Sequence, residues 1–348
     1  VNINTSTGPA LQINVNVKAT VTIYLTGTNN LIAKNTWYAG LHKANKASLI
    51  ITTKVLDTTA GILNAHGSSD GNGAGIGGSN ITINSCSVIA SSKYGAGIGG
   101  NNQGAGSKIT INSASVTARS TDGAGIGGGL YGDGSDIIIN NSSVTASSTN
   151  GAGIGGGEGN SCENITINSS SVTASSKYGA GIGGGKGYGG SCKNITINGG
   201  SVKASSVSGS PTNEGKEVYC CTIENPENAN VTIKPGTGNW KPVNHSSLDP
   251  DDTNLYVWLP KLEGNSTNSY LIILDPKNGS ESRIRNYSFD TVTNTFKAAQ
   301  VVNDFIFKSP VKPTIYDGQP KEASLEFKFK PTHENNRKIS LVYYKGNY

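Results

Sequence analysis

Between residues 74 and 204 the apolar positions recur in a fixed order. A strand-like Ile-x-Ile (81–83, 109–111, 137–139, 165–167 and 195–197) is followed by Ser-Val-x-Ala (87–90, 115–118, 143–146, 171–174 and 201–204). A six-residue phrase, Gly-Ala-Gly-Ile-Gly-Gly, opens at Gly73, Gly95, Gly123, Gly151 and Gly179, with gaps of 22, 28, 28 and 28 residues. A fixed period of this size is the mark of a solenoid, because each unit is too short to bury a face alone and gains a core only by stacking. Three short segments per round predict three sides. The expected fold is therefore all-β: a right-handed three-sided parallel β-helix followed by small antiparallel β-modules. Alternation along each strand turns Ile81 and Ile83, Val88 and Ala90, and Ala74 and Ile76 inward, with Thr82 outward. The glycines then lie outside or in the bends, either as a corner approached by another backbone or as a flat floor for a ligand.

The first 72 residues alternate less regularly (Val1, Ile3, then Leu11, Ile13, Val15, Val17, then Val21, Ile23 and Leu25) and read as two or three end coils. Ala10-Leu11 and Ala39-Gly40-Leu41 look like degenerate forms of Ala-Gly-Ile. Trp37 and Tyr38 are expected to cover the open end of the core, the alternative being an exposed pair that stacks on a sugar. The regular pattern breaks at Ser208, and Val218 to Ile223 with Val231 to Ile233 read as a last irregular coil and lid. The domain organisation expected is thus 1–235 β-helix, 236–252 linker, 253–300 small antiparallel module, and 301–348 a β-sandwich-like module, which reads as incomplete.

Composition fits a solenoid: 34% hydrophobic and 7% aromatic residues with 47 glycines would starve a compact globular core, but a solenoid needs only a thin one. The net charge of +5 reads as a mild surplus along the chain, too weak to argue for nucleic acid and leaning toward neutral or acidic glycans. No apolar run is long enough for a membrane span, and no signal peptide is visible. With Val1 first and no methionine, the chain reads as a piece of a longer protein.

Of the five cysteines, Cys162 and Cys192 stand three residues before Ile165 and Ile195, so they stack on adjacent coils at about 4.8 Å, which suits a disulfide. Cys86, Cys220 and Cys221 leave several pairings open. Polar ladders run outside the coils: Asn84, Asn112, Asn140, Asn168 and Asn198 in one column, Ser87, Ser115, Ser143, Ser171 and Ser201 in another. Such ladders satisfy bends and one another by hydrogen bonds, or offer a flat surface to a polymer of hydroxyls.

Loops follow each glycine phrase, and insertions in a solenoid gather on one side, commonly the binding side. They carry Tyr131, Asp133, Glu158, Lys186 and Tyr188, while Tyr94 and Tyr178 precede two of the phrases. Aromatic rings with acidic and amide groups at their rim are what a sugar site requires, so these seven are the candidate ligand-binding residues. Asp133, Asp136, Glu158 and Glu163 make a weak calcium candidate; otherwise no metal or cofactor is expected. Scarce, unpaired acids lean against catalysis; were the chain an enzyme, Asp133 and Glu158 would be its carboxylates. The glycine phrase lacks the Gly-Lys-Ser/Thr ending of a nucleotide loop.

The blocks Thr26-Gly27-Thr28-Asn29-Asn30-Leu31 and Ala39-Gly40-Leu41, with the glycine phrases and Asn-Ile-Thr-Ile-Asn coils, resemble the glycine-rich β-helical carbohydrate-binding-domain proteins on the surface of Gram-positive anaerobes. The likeness covers about residues 10–235. Tyr316-Asp317-Gly318-Gln319-Pro320-Lys321 is similar to the start of small β-sandwich repeats of bacterial surface proteins. Together these resemblances imply a secreted or cell-surface protein that binds a polysaccharide or a host or plant glycan without cleaving it. The alternatives are a spacer or self-associating filament subunit, and a polysaccharide lyase or glycoside hydrolase.

Overall fold

The computed structural model describes residues 1–14, 16–34, 37–43, 46–54, 60–187, 190–225, 228–235, 241–243, 253–262, 269–277, 283–298, 305–307 and 325–327. The chain divides into two units, Val1–Ala299 and Gln300–Tyr348. In the second, strands Phe305–Phe307 and Leu325–Phe327 pair antiparallel. The remainder of the expected 301–348 module, and most of the 236–252 linker, lie outside the described residues.

In the first unit the repeats form a parallel β-solenoid with three stacks of strands. The first stack contains Thr20–Leu25, Ser48–Thr53, Ile81–Asn84, Gly106–Asn112 and Gly134–Asn140, and continues into the first halves of Cys162–Ser176 and Cys192–Ala204. The second runs from Asn2–Thr5 through Thr28–Ala33, Ile62–His66, Ser87–Ser91, Ser115–Arg119 and Ser143–Ser148 to the second halves of the same two long strands. The glycine phrases supply the third, a seven-stranded sheet in which Leu11, Leu41, Ile76, Ile98, Ile126, Ile154 and Ile182 stand in line. Leu11 and Leu41 therefore are true members of the repeat.

The inward Ile, Val and Ala columns make one continuous core from Ala10 to Val202, most of its members fully buried. Residues whose short polar side chains tolerate left-handed backbone turn the chain between stacks: Asn80, Asp136, Asn164 and Asn194 at the entry to the first stack, with Lys108 the exception, and Ser85, Ser113, Asn141 and Ser169 at its exit. Outside, each Asn of the ladder donates its side-chain amide to the Asn one coil earlier. The distances are 2.9 Å for Asn112 to Asn84, 2.8 Å for Asn140, 2.7 Å for Asn168 and 2.8 Å for Asn198.

The glycine phrases are no floor for a ligand. All their residues but the half-buried Gly179 are buried, and the chain curls back on itself there: the Ala96, Ala124 and Ala152 amides each donate to the carbonyl of the glycine four residues on, at 2.8 Å. Gly127 shows why glycine is needed. Its φ is +132°, and a Cβ would sit 2.0 Å from the carbonyl oxygen of Gly155 on the next coil. The following loops are regular too. Gly104, Gly132 and Asn160 donate to the carbonyls of Asn101, Gly129 and Gly157, closing turns that stack coil on coil.

Residues 218–233 do not form a last coil. Strands Lys216–Glu224 and Asn230–Pro235 pair antiparallel with Asn254–Pro260 and Ser269–Asp275, and Arg283–Asp290 and Thr295–Ala298 extend that sheet. Cys221, Ile223, Leu255, Ile272, Tyr287 and Phe296 fill a second core on one of its faces. The other face covers the end of the solenoid: Trp258 packs on the solenoid core and its indole N–H donates to the Val202 carbonyl at 2.9 Å, while the Tyr256 amide donates to Ser201 Oγ at 3.0 Å. Trp37 and Tyr38, by contrast, do not cover the opposite end. They ride on the turn into Leu41–Lys43, beside the tube and not across it, and Trp37 is 72% exposed.

Cys162 and Cys192 are disulfide-bonded in register, their Cα atoms 4.4 Å apart. Cys86, Cys220 and Cys221 are free thiols. Burial pushes Cys86 and Cys220 each up to about 11, and Cys221 higher still. An acid whose pKa rises on folding stabilises the fold below its unfolded value and ceases to do so above it. Stability should therefore be complete below pH 9.0 and fall as pH climbs from there toward about 11, read as the urea midpoint. In the same samples, iodoacetamide near pH 8 should modify all three thiols quickly in urea and slowly in buffer, since only the thiolate reacts. Equal rates in the two would show the thiols to be accessible and the burial argument wrong.

Candidate functional site

The corner between the second stack and the glycine phrases is where aromatic side chains come into line. Four residues ahead of the stacked Leu41, Ile76, Ile98, Ile126, Ile154 and Ile182 stand Trp37, Asn72, Tyr94, Asp122, Asn150 and Tyr178. Backbone hydrogen bonds tie this column to the stacked turns, because the amides of Asn102, Leu130, Glu158 and Lys186 donate to the carbonyls of Asn72, Tyr94, Asp122 and Asn150 at 2.7–2.9 Å. Polar members of the column are held from the neighbouring coil: Asn150 donates to Asp122 at 2.5 Å, and Asn102 to Asn72 at 2.6 Å. Tyr94 lies two rungs beyond Trp37 and Tyr178 three rungs beyond Tyr94, or about 10 and 14 Å along the axis at about 4.8 Å per rung.

Each tyrosine of the column has a cation against it. Lys93 Nζ lies 4.8 Å from the Tyr94 ring centre, and its other side meets Asp70 at 3.7 Å. A hydrogen bond to Tyr94, followed by the attraction of that phenol and of Asp70 and Asp122, raises the Lys93 pKa. Lys177 and Lys186 lie 5.0 and 5.2 Å from the Tyr178 ring, which is 55% exposed. Each such contact sets a lysine head group against the ring, and a sugar stacking on that same face would displace it.

Of the seven candidate residues, the structure thus joins Tyr178 to Lys186 and sets Tyr94 in the same column. Tyr131 stands apart: it belongs to the column of stacked turns, 60% exposed, its ring beside Gly159 of the next coil. Asp133 accepts a hydrogen bond from the Ser161 amide at 3.2 Å, in line with Ser161, whereas Glu158 lies in line with Leu130 at the other end of the turn. In register the two acids stand three positions apart on neighbouring coils. Asp136 occupies a bend and accepts from Asn164 at 2.9 Å, and Glu163 is exposed on the outer face between Ser135 and Lys193 of the neighbouring coils. Among the described residues no three His, Cys, Asp or Glu side chains gather to hold a metal ion. Tyr188 lies outside the described residues.

Sequence reading missed Trp37 as a member of this column. The signal was its spacing of four residues ahead of Leu41, matching Tyr94 ahead of Ile98 and Tyr178 ahead of Ile182. That match is visible only once Leu41 is accepted as a repeat position.

The model of the beta helix repeat family matches residues 81–102, 109–130, 137–158, 165–186 and 195–210. This chain is similar to the beta helix repeat. The matched segments each begin at the inward isoleucine of the first stack, and the first four run through the second stack and the glycine phrase, so they coincide with the solenoid coils. No curated protein and no solved structure matches the chain. Among the described residues no helix is long and apolar enough to cross a membrane.

Proposed function

We propose that this solenoid is a non-catalytic binding module for an extracellular polysaccharide, carried by a secreted or cell-surface protein. The observation that supports it is the corner column in which Trp37, Tyr94 and Tyr178 share one line. A sugar ring in an extended chain advances by about one rung, so a polymer running parallel to the solenoid axis meets an aromatic platform at the second and fifth step after the first. Stacking of a pyranose face on such rings is favoured by the area removed from water and by contact of C–H groups with the ring face. Asn72, Asp122 and Asn150 stand between the platforms as hydrogen-bonding groups for hydroxyls.

The test is a polysaccharide panel screened with the full chain, with a parallel assay for new reducing ends. The variant Trp37→Ala/Tyr94→Ala/Tyr178→Ala should lose binding by more than tenfold, each ring being worth about 1 kcal/mol. Tyr131→Ala should change it less, and no reducing ends should appear. Binding that survives the triple substitution, or steady release of reducing sugar, would remove this reading.

A further inference from the structure

The first stack turns three columns of side chains outward. The middle column is β-branched at every rung: Thr22, Ile50, Thr82, Thr110, Ile138, Thr166 and Thr196 stand in register. On one side of it runs the asparagine ladder, and on the other stand Asn80, Lys108, Asp136, Asn164 and Asn194 at the bends into the stack.

Three residues at the centre of this face do something the solenoid itself does not need. Lys108 holds a left-handed bend, φ +55°, that the other coils give to Asn or Asp, whose short side chains tolerate it. Among the described residues its ammonium makes no ion pair, although Asp136 stands on the next rung. Ile138 sets an aliphatic side chain, 37% exposed, between Thr110 and Thr166 of the neighbouring coils. A base, an acid and an apolar group therefore meet in the middle of three columns that are otherwise uncharged.

We propose that two copies of this chain associate through this face, packed sheet against sheet with their solenoid axes antiparallel. A two-fold axis lying along the strands between Thr110 and Ile138 sets each column against itself in reverse order. Lys108 of each copy then meets Asp136 of the other, giving two ion pairs of alternating sign about the axis. Thr110 opposes Ile138, Thr82 opposes Thr166 and Ile50 opposes Thr196, so methyl groups close over methyl groups at the spacing of about 10 Å between packed sheets. Ladder asparagines also oppose one another, and each keeps one N–H and one lone pair after its bonds along the ladder. Packing with parallel axes would set Lys108 against Asn112 and Asp136 against Asn140, leaving both charges covered and unpaired. The face is the side of the tube opposite the corner that carries Tyr94 and Tyr178, so association leaves that corner open and does not depend on what binds there.

Six overlapping rungs of about 4.8 Å and three columns spanning about 14 Å cover roughly 400 Å² per copy, half of a standard interface, so the dimer is weak. Sedimentation of the full chain should show monomer in the low micromolar range and dimer as the concentration approaches about 1 mM. Lys108→Asp and Asp136→Lys each oppose like charges at both contacts and should weaken the dimer about tenfold or more. An equimolar mixture of the two variants should form a heterodimer that neither forms alone. Lys108→Asp/Asp136→Lys restores opposite charges and should associate within about threefold of the wild type. Should Asp136→Lys lower the melting temperature at low concentration, Asp136→Asn carries the test, since it keeps an acceptor for Asn164 and loses only the charge; it should weaken the dimer by about threefold or more. A wild-type chain that stays monomeric near 1 mM overturns the proposal, as do single variants that dimerise like the wild type. A mixture that stays monomeric, or a double variant no better than the singles, overturns it too.

Discussion

Gly127→Ala should cost about 3 kcal/mol or more, a large share of the stability of any domain, because one methyl group meets two obstacles at once. Its Cβ would lie 2.0 Å from the Gly155 carbonyl oxygen, and a φ of +132° is one that side chains rarely adopt. Neither neighbour can yield cheaply, since the Gly155 carbonyl is itself bonded to the Gly128 amide at 2.9 Å. Gly199→Ala is the matched control. Gly199 has a φ of +76° with nothing within 4 Å of its Cβ, and Ser85, Ser113 and Ser169 hold the equivalent bend with φ of 49°, 49° and 46°. Alanine there should cost about 1 kcal/mol or less. Urea unfolding of both variants decides the matter: equal losses would mean that backbone conformation alone, not the close approach of coils, demands the glycine.

The second large effect is expected from Trp258→Ala. The indole joins the antiparallel sheet to the last coil both by packing and by its hydrogen bond to Val202, so its removal leaves a cavity, an unpaired carbonyl and a strand edge open to water. A loss of about 2–4 kcal/mol follows, below the full value for a buried tryptophan because this one is only partly buried. Trp258→Phe should recover most of the packing without the hydrogen bond. Sedimentation should show concentration-dependent association of the alanine variant through the uncovered edge. An unchanged urea midpoint together with a monomeric sample would show that the sheet is not what holds that end.

How much of this was legible in the sequence depended on how local the signal was. The Ile81, Ile109, Ile137, Ile165 and Ile195 column could be read because each residue's partner lies at one period, and the Cys162–Cys192 bridge because both residues keep the same offset from that column. Val218 to Ile223 could not be assigned correctly. Its alternation is the same whether it forms a coil rung or an antiparallel strand, and only its pairing with residues near Trp258 distinguishes the two. Trp37 failed for a related reason, since whether an aromatic covers a core or rides beside it depends on the direction of a turn rather than on composition. The glycine phrases could be recognised as backbone-contact positions or as a ligand floor, and the loops that bury them settle the choice. Among the candidate site residues, Tyr94, Tyr178 and Lys186 shared a neighbourhood that periodicity made visible. Asp133 and Glu158 were drawn together by lying in consecutive loops, and the stacking register sets them three positions apart on neighbouring coils.

The asparagine ladder has one more consequence. Every amide in it answers only to the rung below and the rung above, and the same is true of the core columns beneath, so no coil from Ile109 to Asn168 carries information about how many others exist. A gene that duplicated or lost one 28-residue unit there would change the molecule's reach by a single step and leave both termini chemically as they were. Length in such a molecule is a free parameter, adjustable by recombination without inventing any new contact.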